Sequence, residues 1–459
     1  MTGSDKNLFG LSISDKKNLI ERMRSRSRSE ADNKPRFTQK FSKALSRDIP
    51  PEYYKIESLP GLKQLQIHVA AADKFGIENP FFRMHEAVAS NTTWIGNKEY
   101  VNFSSYNYLG LCGHPRISQK AKDAIDRYGT STSASRPVSG ERPVHRELER
   151  KLAAVHKTED CIVFVSGHAT NVTTIGCLFG SNDLILHDVL AHNSIIQGAI
   201  LSGAKRLPFP HNDWAALDKI LQENRSKFQR VLIVIEGMYS MDGDVPELNK
   251  FIELKYKHKV FLMIDEAHSL GVLGDRGFGI KEHFGIDAND IDIAMGTLSK
   301  TLSACGGYIT GKHALVENLK YTAPGFVYSV GISPPVAAAA LAALDILEAE
   351  PERPKRLREL GALFYHNAVE SGLDTGLCQG YAIIPIIIGS SVLSVKLSNR
   401  LLENGINVQP IIYPAVEERG ARLRFFLSST HTEKQIKDTI GILIEELNHL
   451  KRNPVYKLV

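Results

Sequence analysis

Five short apolar runs recur through the middle of the chain and constrain its fold more than any other feature. They are CIVFVS, LILHD, RVLIVIEG, VFLMIDE and IDIAMG, and a helical or loop segment separates each run from the next. Strands that are apolar throughout are buried on both faces, which is typical of parallel sheets covered by helices. The series therefore predicts an α/β protein with a large, mainly parallel sheet that binds ligands at the carboxyl ends of its strands.

The segments around these runs predict how the chain divides into domains. Residues 1–50 are polar and basic and predict a flexible arm, and residues 51–115, with a helix over Leu59–Met84, predict a segment that packs on a smaller domain. Residues 116–335 would form the large sheet domain. Residues 336–459 begin with an alanine-rich helix that bridges to a smaller α+β domain, which contains the strands AIIPIIIG, INVQPI and ARLRFFLSS.

Composition and cysteine usage indicate the cellular setting. The chain of 459 residues is 43% hydrophobic and 23% charged, which is typical of a globular protein. Its five cysteines are scattered and lack CxxC spacing, so neither a disulfide framework nor a metal site is expected. The amino terminus lacks an apolar signal segment, and the longest apolar run, VAAAALAALDIL, is too short to span a membrane. These features predict a cytoplasmic protein without a membrane span.

A basic run lies near the amino terminus. Arg22, Arg24, Arg26 and Arg28 alternate with methionine and serine in a chain whose net charge is +5. Such a run is able to attract nucleic acid or an acidic protein. No aromatic residues are interleaved for base stacking, which favours a solvated arm and predicts no nucleic-acid partner.

The stretch Ile291–Gly307, IDIAMGTLSKTLSACGG, places Lys300 directly after a predicted strand. Desolvation favours the neutral form of a lysine amine, and the neutral amine is a nucleophile. Thr297 and Ser299 beside it would provide hydroxyls for a phosphate, a setting that suits a Schiff base to an aldehyde cofactor. The cofactor indicated is pyridoxal phosphate, and the alternative is an ordinary loop lysine at the edge of the sheet.

The sequence MIDEAHS supplies the partner that such a cofactor needs. Asp265 ends a predicted buried strand, and His268 follows three residues later. A buried carboxylate requires a cationic partner, and a protonated pyridine nitrogen is one. A metal-binding Asp-Glu pair of an ATPase is the alternative, but the chain lacks the GxxxxGK[ST] loop that accompanies it.

Three further strand ends carry polar residues. In FVSGHATN, Gly167 and His168 open a helix whose first N–H groups are able to bind a phosphate. In LAHNSI, His192 is able to stack on an aromatic cofactor. In EGMYSMDGD, Ser240 and Asp242 follow an apolar strand. Each motif also has a purely structural interpretation. FVSGHATN and Asp242-Gly243 would then be plain turns, and His192 would be a core histidine.

Together, these motifs resemble the α-oxoamine synthases. This fold-type I pyridoxal phosphate family includes amino-oxononanoate synthase, aminolevulinate synthase, aminoketobutyrate ligase and serine palmitoyltransferase. The resemblance extends from about Asn79 to the carboxyl terminus and covers SYNYLGL, SGHATN, EGMYSMDGD, DEAHSLGVLG, GTLSK, YSVGISPP and ARLRFFLSSTHT. It implies a large sheet domain of the seven-stranded type, a smaller α+β carboxyl-terminal domain and a homodimer with shared active sites.

The resemblance also implies a role for each matching residue. Lys300 would form the Schiff base and remove the α-proton, Asp265 would pair with the ring nitrogen, and His192 would stack on the ring. The other implied residues are His268 and Ser240 at the ring hydroxyl, Gly167, His168 and Thr297 at the phosphate, Ser329 at the phosphate of the neighbouring subunit, Arg422 at the substrate carboxylate, and Tyr106 and Asn107 in the amino-acid pocket.

The implied reaction is the decarboxylative condensation of a small amino acid with an acyl thioester, which gives an α-aminoketone. The thioester would be carried by coenzyme A or by an acyl-carrier protein, and a basic arm would attract the acidic carrier. A fold-type I aminotransferase and an amino-oxononanoate synthase of biotin synthesis that uses acyl-CoA are alternatives. A non-catalytic scaffold subunit would typically have lost Lys300.

Overall fold

A computed structural model describes residues 49–74 and 77–452 of the chain, so the predicted basic arginines lie outside the described residues. The chain divides into two compact units between Gly76 and Ile77. The described part of the first unit contains two short turns, Pro51–Tyr53 and Ile56–Ser58, and helix α1, Pro60–Lys74. The predicted helix extended too far, because residues 77–84 of its span are irregular and include Pro80, which cannot continue a helix.

Strands and helices alternate through the described part of the second unit. The strands are β1 Thr92–Ile95, β2 Lys98–Asn102, β3 Asp160–Phe164, β4 Leu184–Asp188, β5 Lys205–Phe209, β6 Val231–Glu236, β7 Phe261–Asp265, β8 Ile293–Thr297, β9 Gly307–Gly311, β10 Ile383–Ile387, β11 Ile406–Asn407, β12 Gln409–Ile411 and β13 Arg422–Phe426. The α-helices are α2 Pro115–Tyr128, α3 Pro143–His156, α4 Gly167–Leu178, α5 Asn193–Ser202, α6 Trp214–Asn224, α7 Leu248–His258, α8 Ile280–Phe284, α9 His313–Thr322, α10 Pro324–Val327, α11 Pro334–Ala349, α12 Glu352–Glu370, α13 Ser391–Glu403 and α14 Glu433–Arg452.

The main sheet has seven strands in the order β3-β9-β8-β7-β6-β4-β5. Its strands pair in parallel from β8 to β5, whereas β9 runs antiparallel to both of its neighbours. The predicted mainly parallel sheet is thus confirmed, and all five apolar runs form strands within it. The sequence analysis missed β5, KRLPF, because its two basic residues and Pro208 suit an edge strand rather than an apolar central one.

The alternation of side chains along the strands places core on both faces of the main sheet. In β6, Val231, Ile233 and Ile235 join one hydrophobic cluster, while Leu232 and Val234 join a second. All six residues of this strand are buried. The sheet is therefore covered by helices on both faces, and only its strand ends are open to a ligand.

Two smaller sheets flank the main sheet. One has the order β1-β2-β11, and the other has the order β10-β13-β12 with antiparallel pairing throughout. Because side chains alternate along β13, Arg422 and Arg424 lie on the same face of this sheet. The predicted boundaries between the large and small domains stay a prediction. Among the described helices, none has the length and apolar character needed to cross a bilayer.

Candidate active site

A cavity of about 230 Å³ lies at the carboxyl ends of β6, β7 and β8. It brings together eight of the predicted site residues: Tyr106, Gly167, His168, His192, Asp265, His268, Thr297 and Lys300. Ser166, Asn171, Ser194, Glu236, Ala267, Met295 and Ser299 complete the lining. Residues far apart in the sequence thus meet where the parallel sheet is expected to bind its ligand.

Lys300 lies in a closed turn between β8 and β9. The turn is held by backbone hydrogen bonds from the Leu298 N–H to the Gly306 carbonyl, 2.9 Å, and from the Ser303 N–H to the Lys300 carbonyl, 3.0 Å. The protein atoms packed around the amine lower the pKa of Lys300 to about 8, and the nearby Asp265 opposes this shift. The amine is 5.8 Å from the centre of the Tyr106 ring. About a fifth of Lys300 is therefore neutral and nucleophilic at pH 7.4, far more than for an exposed lysine.

Asp265 is the last residue of β7 and is 4% exposed. Its Oδ2 accepts a hydrogen bond of 2.7 Å from Asn171 Nδ2, and its Oδ1 accepts one of 2.9 Å from the Ala267 N–H. These two bonds fix the orientation of the carboxylate in the cavity. A buried carboxylate that faces a cavity fits the protonated ring nitrogen of pyridoxal phosphate.

His192 begins helix α5 at the side of the cavity. Its backbone N–H donates to Glu236 Oε1, 2.7 Å, and its Nδ1 forms a hydrogen bond of 2.7 Å with Ser194 Oγ. Surrounding protein atoms lower the pKa of His192, so the imidazole is neutral at physiological pH. A neutral ring held in this way is suited to stack on an aromatic cofactor.

Glu236 is a cavity residue that the sequence analysis missed. It ends β6 and stands beside Asp265 in the register of the parallel pair β6–β7. Burial, reinforced by the Asp265 charge, raises the pKa of Glu236 well above its ordinary value. The detectable signal was the glutamate that ends the otherwise apolar run RVLIVIEG.

Helix α4 begins at the cavity, where Ser166, Gly167 and His168 form part of the lining. Ser166 caps this helix by accepting a hydrogen bond of 3.3 Å from the Ala169 N–H. Thr297 Oγ1 lies so close that a Cβ on Gly167 would meet it at 2.8 Å. The first-turn N–H groups of Gly167 and His168, with the Thr297 and Ser299 hydroxyls, therefore form a site that fits a phosphate.

A second cavity, of about 400 Å³, adjoins the first and shares Tyr106, Ser299 and Lys300 with it. Asn107 lines this cavity, and its Nδ2 donates to the Ala89 carbonyl, 3.1 Å. The other lining residues are His85, Ala89, Asn102, Ser104, Ser105, Cys112, Ser303 and Ala304. The structure thus places Tyr106 and Asn107 in a pocket that opens beside the Lys300 amine.

His268 lies in the first cavity and is hydrogen-bonded to Tyr108. A hydrogen bond of 2.7 Å joins the Tyr108 hydroxyl and His268 Nδ1. Burial, together with the charges of Lys300 and Arg424, lowers the pKa of His268 well below its ordinary value, so the ring is neutral. The sequence analysis missed Tyr108, although it lies in the quoted motif SYNYLGL.

Three predicted site residues, Ser240, Ser329 and Arg422, do not line either cavity of the single chain. Arg422 Nη1 forms an ion pair of 2.6 Å with Asp242 Oδ1, and its Nε donates to the Gly420 carbonyl, 2.7 Å. Ser329 is half-buried between Tyr328 and Val330, which are both exposed. The predicted roles of these three residues stay predictions.

Arg424 is a second residue that the sequence analysis missed. Its Nη1 donates to the Ser240 carbonyl, 2.9 Å, and its guanidinium lies 4.6 Å from the centre of the Phe426 ring. Its Nε is buried without a hydrogen-bond partner. The Arg424 charge contributes to the lowered pKa values of Lys300 and His268, which places this cation near the site. Its spacing of two residues from Arg422 was the available signal.

The described residues contain no group of His, Cys, Asp and Glu side chains suited to a metal ion. The aminotransferase class I and II family matches residues 98–443 of the chain. Together with a cavity that holds a lysine of lowered pKa and an oriented aspartate, this match makes the chain a fold-type I pyridoxal phosphate-dependent transferase.

Similar proteins define the family within this class. The chain is 38% identical over 388 residues to an 8-amino-7-oxononanoate synthase of Symbiobacterium thermophilum, which covers 84% of this chain and 96% of that protein. It is also 40% identical over 348 residues to the 8-amino-7-oxononanoate synthase of Geobacter sulfurreducens. This match covers 75% of this chain and 88% of that protein. A serine palmitoyltransferase structure from S. paucimobilis with a bound pyridoxal phosphate–myriocin aldimine matches with a TM-score of 0.83, at 26% identity, over 87% of this chain and 100% of that chain. The chain belongs to the α-oxoamine synthases.

This assignment confirms the family, the fold class and the cofactor predicted from the sequence. The chain is a pyridoxal phosphate-dependent acyltransferase, and its reaction class is decarboxylative condensation that gives an aminoketone. The cytoplasmic location and the homodimer stay predictions.

Proposed function

We propose that this chain joins a small α-amino acid to an acyl thioester in the two adjoining cavities around Lys300. The Cα–H bond of the amino acid breaks, a bond forms from Cα to the acyl carbon, and the thiol leaves. The carboxylate then departs as carbon dioxide, and a proton returns to Cα. The single observation that carries this proposal is the buried Lys300 amine, with a pKa lowered to about 8, between a cofactor-sized cavity and a second pocket.

The residues of the first cavity would hold the cofactor. Lys300 would bind its aldehyde, and Asp265 would bind its ring nitrogen, while His192 would lie against its ring. The N–H groups of Gly167 and His168 would bind its phosphate. When bound, pyridoxal phosphate supplies an electron sink for negative charge at the amino acid's Cα.

Lys300 and His268 are the groups proposed to act on the reacting atoms. Lys300, with a pKa of about 8, is suited to take the proton from Cα and to return one later. We assign the Tyr108 hydroxyl as the donor to His268 Nδ1, which would put the hydrogen of the neutral imidazole on Nε2. His268 would then donate this hydrogen to the oxygen of the acyl carbonyl, where negative charge develops.

We propose Arg424, rather than Arg422, as the ligand of the substrate carboxylate. Arg422 already pairs with Asp242, so a substrate carboxylate would have to displace an existing ion pair. Arg424 has an unpartnered Nε and acts electrostatically on Lys300. Replacing Arg424 with lysine is expected to raise KM for the amino acid, since lysine cannot form two parallel hydrogen bonds to a carboxylate. Arg422→Lys is the matched control on the same strand face, and an equal effect in both variants would contradict the assignment.

We propose that a second copy of the chain completes the site and places its Ser329 near the phosphate. Tyr328 and Val330, 86% and 47% exposed, flank this serine and provide apolar surface for such a contact. The test mixes two inactive variants, Lys300→Ala and Ser329→Arg. Mixed dimers contain one site with both native residues, so activity should return on mixing. No recovery in a mixture shown to contain mixed dimers would contradict the shared site.

A product assay tests the proposed reaction. The purified holoenzyme is incubated with a panel of small amino acids and of acyl thioesters on coenzyme A or a carrier protein. We expect an α-aminoketone by mass spectrometry, with free thiol and carbon dioxide in equal amounts. Transfer of the amino group to a keto acid, without thiol release, would instead identify an aminotransferase.

A further inference from the structure

An ion-pair cluster outside the two cavities joins three segments of the chain through His211. His211 Nδ1 lies 2.9 Å from Asp188 Oδ1 at the end of β4, and His211 Nε2 lies 2.9 Å from Asp244 Oδ2 in the loop after β6. Asn212 adds a backbone hydrogen bond to Asp188 Oδ2, 2.8 Å, and a side-chain hydrogen bond to Asp244 Oδ2, 2.6 Å. The cluster therefore ties the loop after β6 to the main sheet.

The geometry of this cluster requires a charged histidine. Each imidazole nitrogen faces a carboxylate oxygen, so both nitrogens must carry hydrogen to donate. The two carboxylates raise the pKa of His211 to about 10, although burial opposes the shift. A doubly donating imidazolium is shorter and more rigid than lysine or arginine, so it holds Asp188 and Asp244 at a fixed separation.

The loop fixed by His211 is residues 239–244. The Tyr239 ring packs edge-on against the His211 ring, with 4.5 Å between centroids and an interplanar angle of 88°. The Tyr239 N–H donates to the Asp244 carbonyl, 3.0 Å, which closes the loop. Gly243 has φ +70° and touches the carbonyl of Ile383 on β10, where an added Cβ would approach to 2.2 Å. The loop is thus wedged between the main sheet and the smaller sheet.

Loop 239–244 contacts both arginines of β13, Arg422 and Arg424, on the side that faces this strand. The Ser240 carbonyl accepts the hydrogen bond from Arg424, 2.9 Å, and Asp242 forms the ion pair with Arg422, 2.6 Å. A shift of the loop would therefore move the anchor of the Arg424 guanidinium. His211 lines neither cavity, and these contacts connect it to the substrate side of the site.

We infer that His211 is a positioning residue that sets the location of Arg424 for the substrate amino acid by clamping loop 239–244 between Asp188 and Asp244. The inference rests on the proposed binding of the substrate carboxylate by Arg424. It predicts a defect in amino-acid binding rather than in cofactor binding, because the loop contacts Arg424 and not the phosphate end of the cavity. Truncating the clamp leaves the cofactor residues on β7, β8 and α4 unchanged.

The test compares His211→Asn with Arg424→Lys in the full-length holoenzyme. We expect His211→Asn to raise KM for the amino acid by about tenfold or more, with KM for the acyl thioester and the visible cofactor absorbance unchanged. Hydrogen exchange of the peptide containing residues 239–244 should become faster. Asp244→Asn, which removes one carboxylate at constant size, should give a smaller change in the same direction and serves as the test if His211→Asn fails to fold.

His258→Asn is the matched control, because His258 also pairs with an aspartate, Asp218, and its side chain is similarly buried, 10% exposed against 12% for His211. It should leave KM for the amino acid unchanged. If Arg424→Lys raises this KM while His211→Asn does not, the positioning role is wrong and the role of Arg424 stands. If neither variant changes it, the role of Arg424 is wrong, and unchanged exchange of loop 239–244 in His211→Asn would overturn the clamp as well.

Discussion

Lys300 destabilises the protein when the cofactor is absent, because the folded chain partly desolvates its ammonium group. Its pKa falls from 10.5 to about 8, which corresponds to a loss of up to about 3 kcal/mol when the group is charged. The folded-state pKa is depressed for a base, so the loss is complete below pH 8 and disappears as pH rises toward 10.5. We therefore expect Lys300→Met to abolish activity and to raise the free energy of unfolding of the apoprotein at pH 7.

Urea unfolding of the two apoproteins at pH 7 and pH 10 measures this effect. The difference between Lys300→Met and the native chain should shrink at the higher pH. Equal stabilities at pH 7 would show that the Lys300 amine remains solvated in the folded chain.

Asp265→Asn should retain the cofactor but slow the exchange of the substrate's Cα hydrogen strongly. An amide cannot hold the pyridine nitrogen protonated, so the ring becomes a weaker electron sink. Asparagine preserves the hydrogen-bonding shape toward Asn171, which limits structural change. Deuterium incorporation from heavy water into the amino acid, followed by mass spectrometry, is the measurement. A rate equal to that of the native enzyme would remove Asp265 from this role.

At the residue scale, the sequence predicts the groups that follow apolar strands directly. Lys300, Asp265 and His192 each follow or end a strand, and the fold brings them into one cavity. Glu236 also ends a strand, but it was not predicted as a site residue. Its position beside Asp265 becomes evident only from the register of the β6–β7 pair. The choice between Arg422 and Arg424 needs the structure, since both lie on one face of β13.

At the element scale, the close approach of helix α4 to strand β9 positions the phosphate end of the site. A Cβ added at Gly307 would meet Thr170 Oγ1 at 2.5 Å and the Cα of Gly167 at 2.7 Å. Gly307→Ala should therefore push the start of α4 away from Thr297, weaken pyridoxal phosphate binding and destabilise the fold by about 1–3 kcal/mol. Equilibrium dialysis of the cofactor and thermal unfolding measure the two effects.

Gly441 in helix α14 is the matched control for Gly307. It lies on the exposed side of the helix, and an added Cβ there would meet nothing within 4 Å. Gly441→Ala should raise stability by about 0.5–1 kcal/mol, because alanine favours the helix, and should leave cofactor affinity unchanged. Weakened cofactor binding in both variants would show that the contact at Gly307 is not the cause.

The sequence predicts best those elements that have an uninterrupted apolar run. The five apolar strands are confirmed, whereas β5 lacks an apolar run and α1 is shorter than its pattern. The antiparallel direction of β9 follows from the short connection between Thr297 and Gly307, because a parallel crossover needs a dozen residues or more. Pairing between strands distant in sequence, such as β2 with β11, joins residues about 300 apart and has no local signal.

At the scale of the whole molecule, the nature of the thioester carrier is open to a direct test. The basic arm with Arg22, Arg24, Arg26 and Arg28 is expected to attract an acidic carrier protein over a distance that salt shortens. We expect kcat/KM for an acyl chain on a carrier protein to exceed that on coenzyme A, and to fall when residues 1–30 are removed. The fall should be largest at low salt.

The same acyl chain on coenzyme A is the control, since it lacks the acidic protein surface and should respond little to the truncation. Coenzyme A as the better donor, with no effect of the truncation at either salt concentration, would mean that the arm does not recruit a carrier. Coenzyme A would then be the natural donor.

During protein synthesis, the residues proposed to bind the cofactor are made before Arg424, the residue proposed to bind the amino acid. The main sheet closes when β9 enters between β3 and β8, and every residue proposed to hold the cofactor within one chain precedes Gly311. Arg424 follows more than a hundred residues later. At about 5–20 residues per second, the ribosome needs several seconds to make this remainder. The residues proposed to hold the cofactor are therefore all synthesised seconds before the arginine proposed to bind the amino acid.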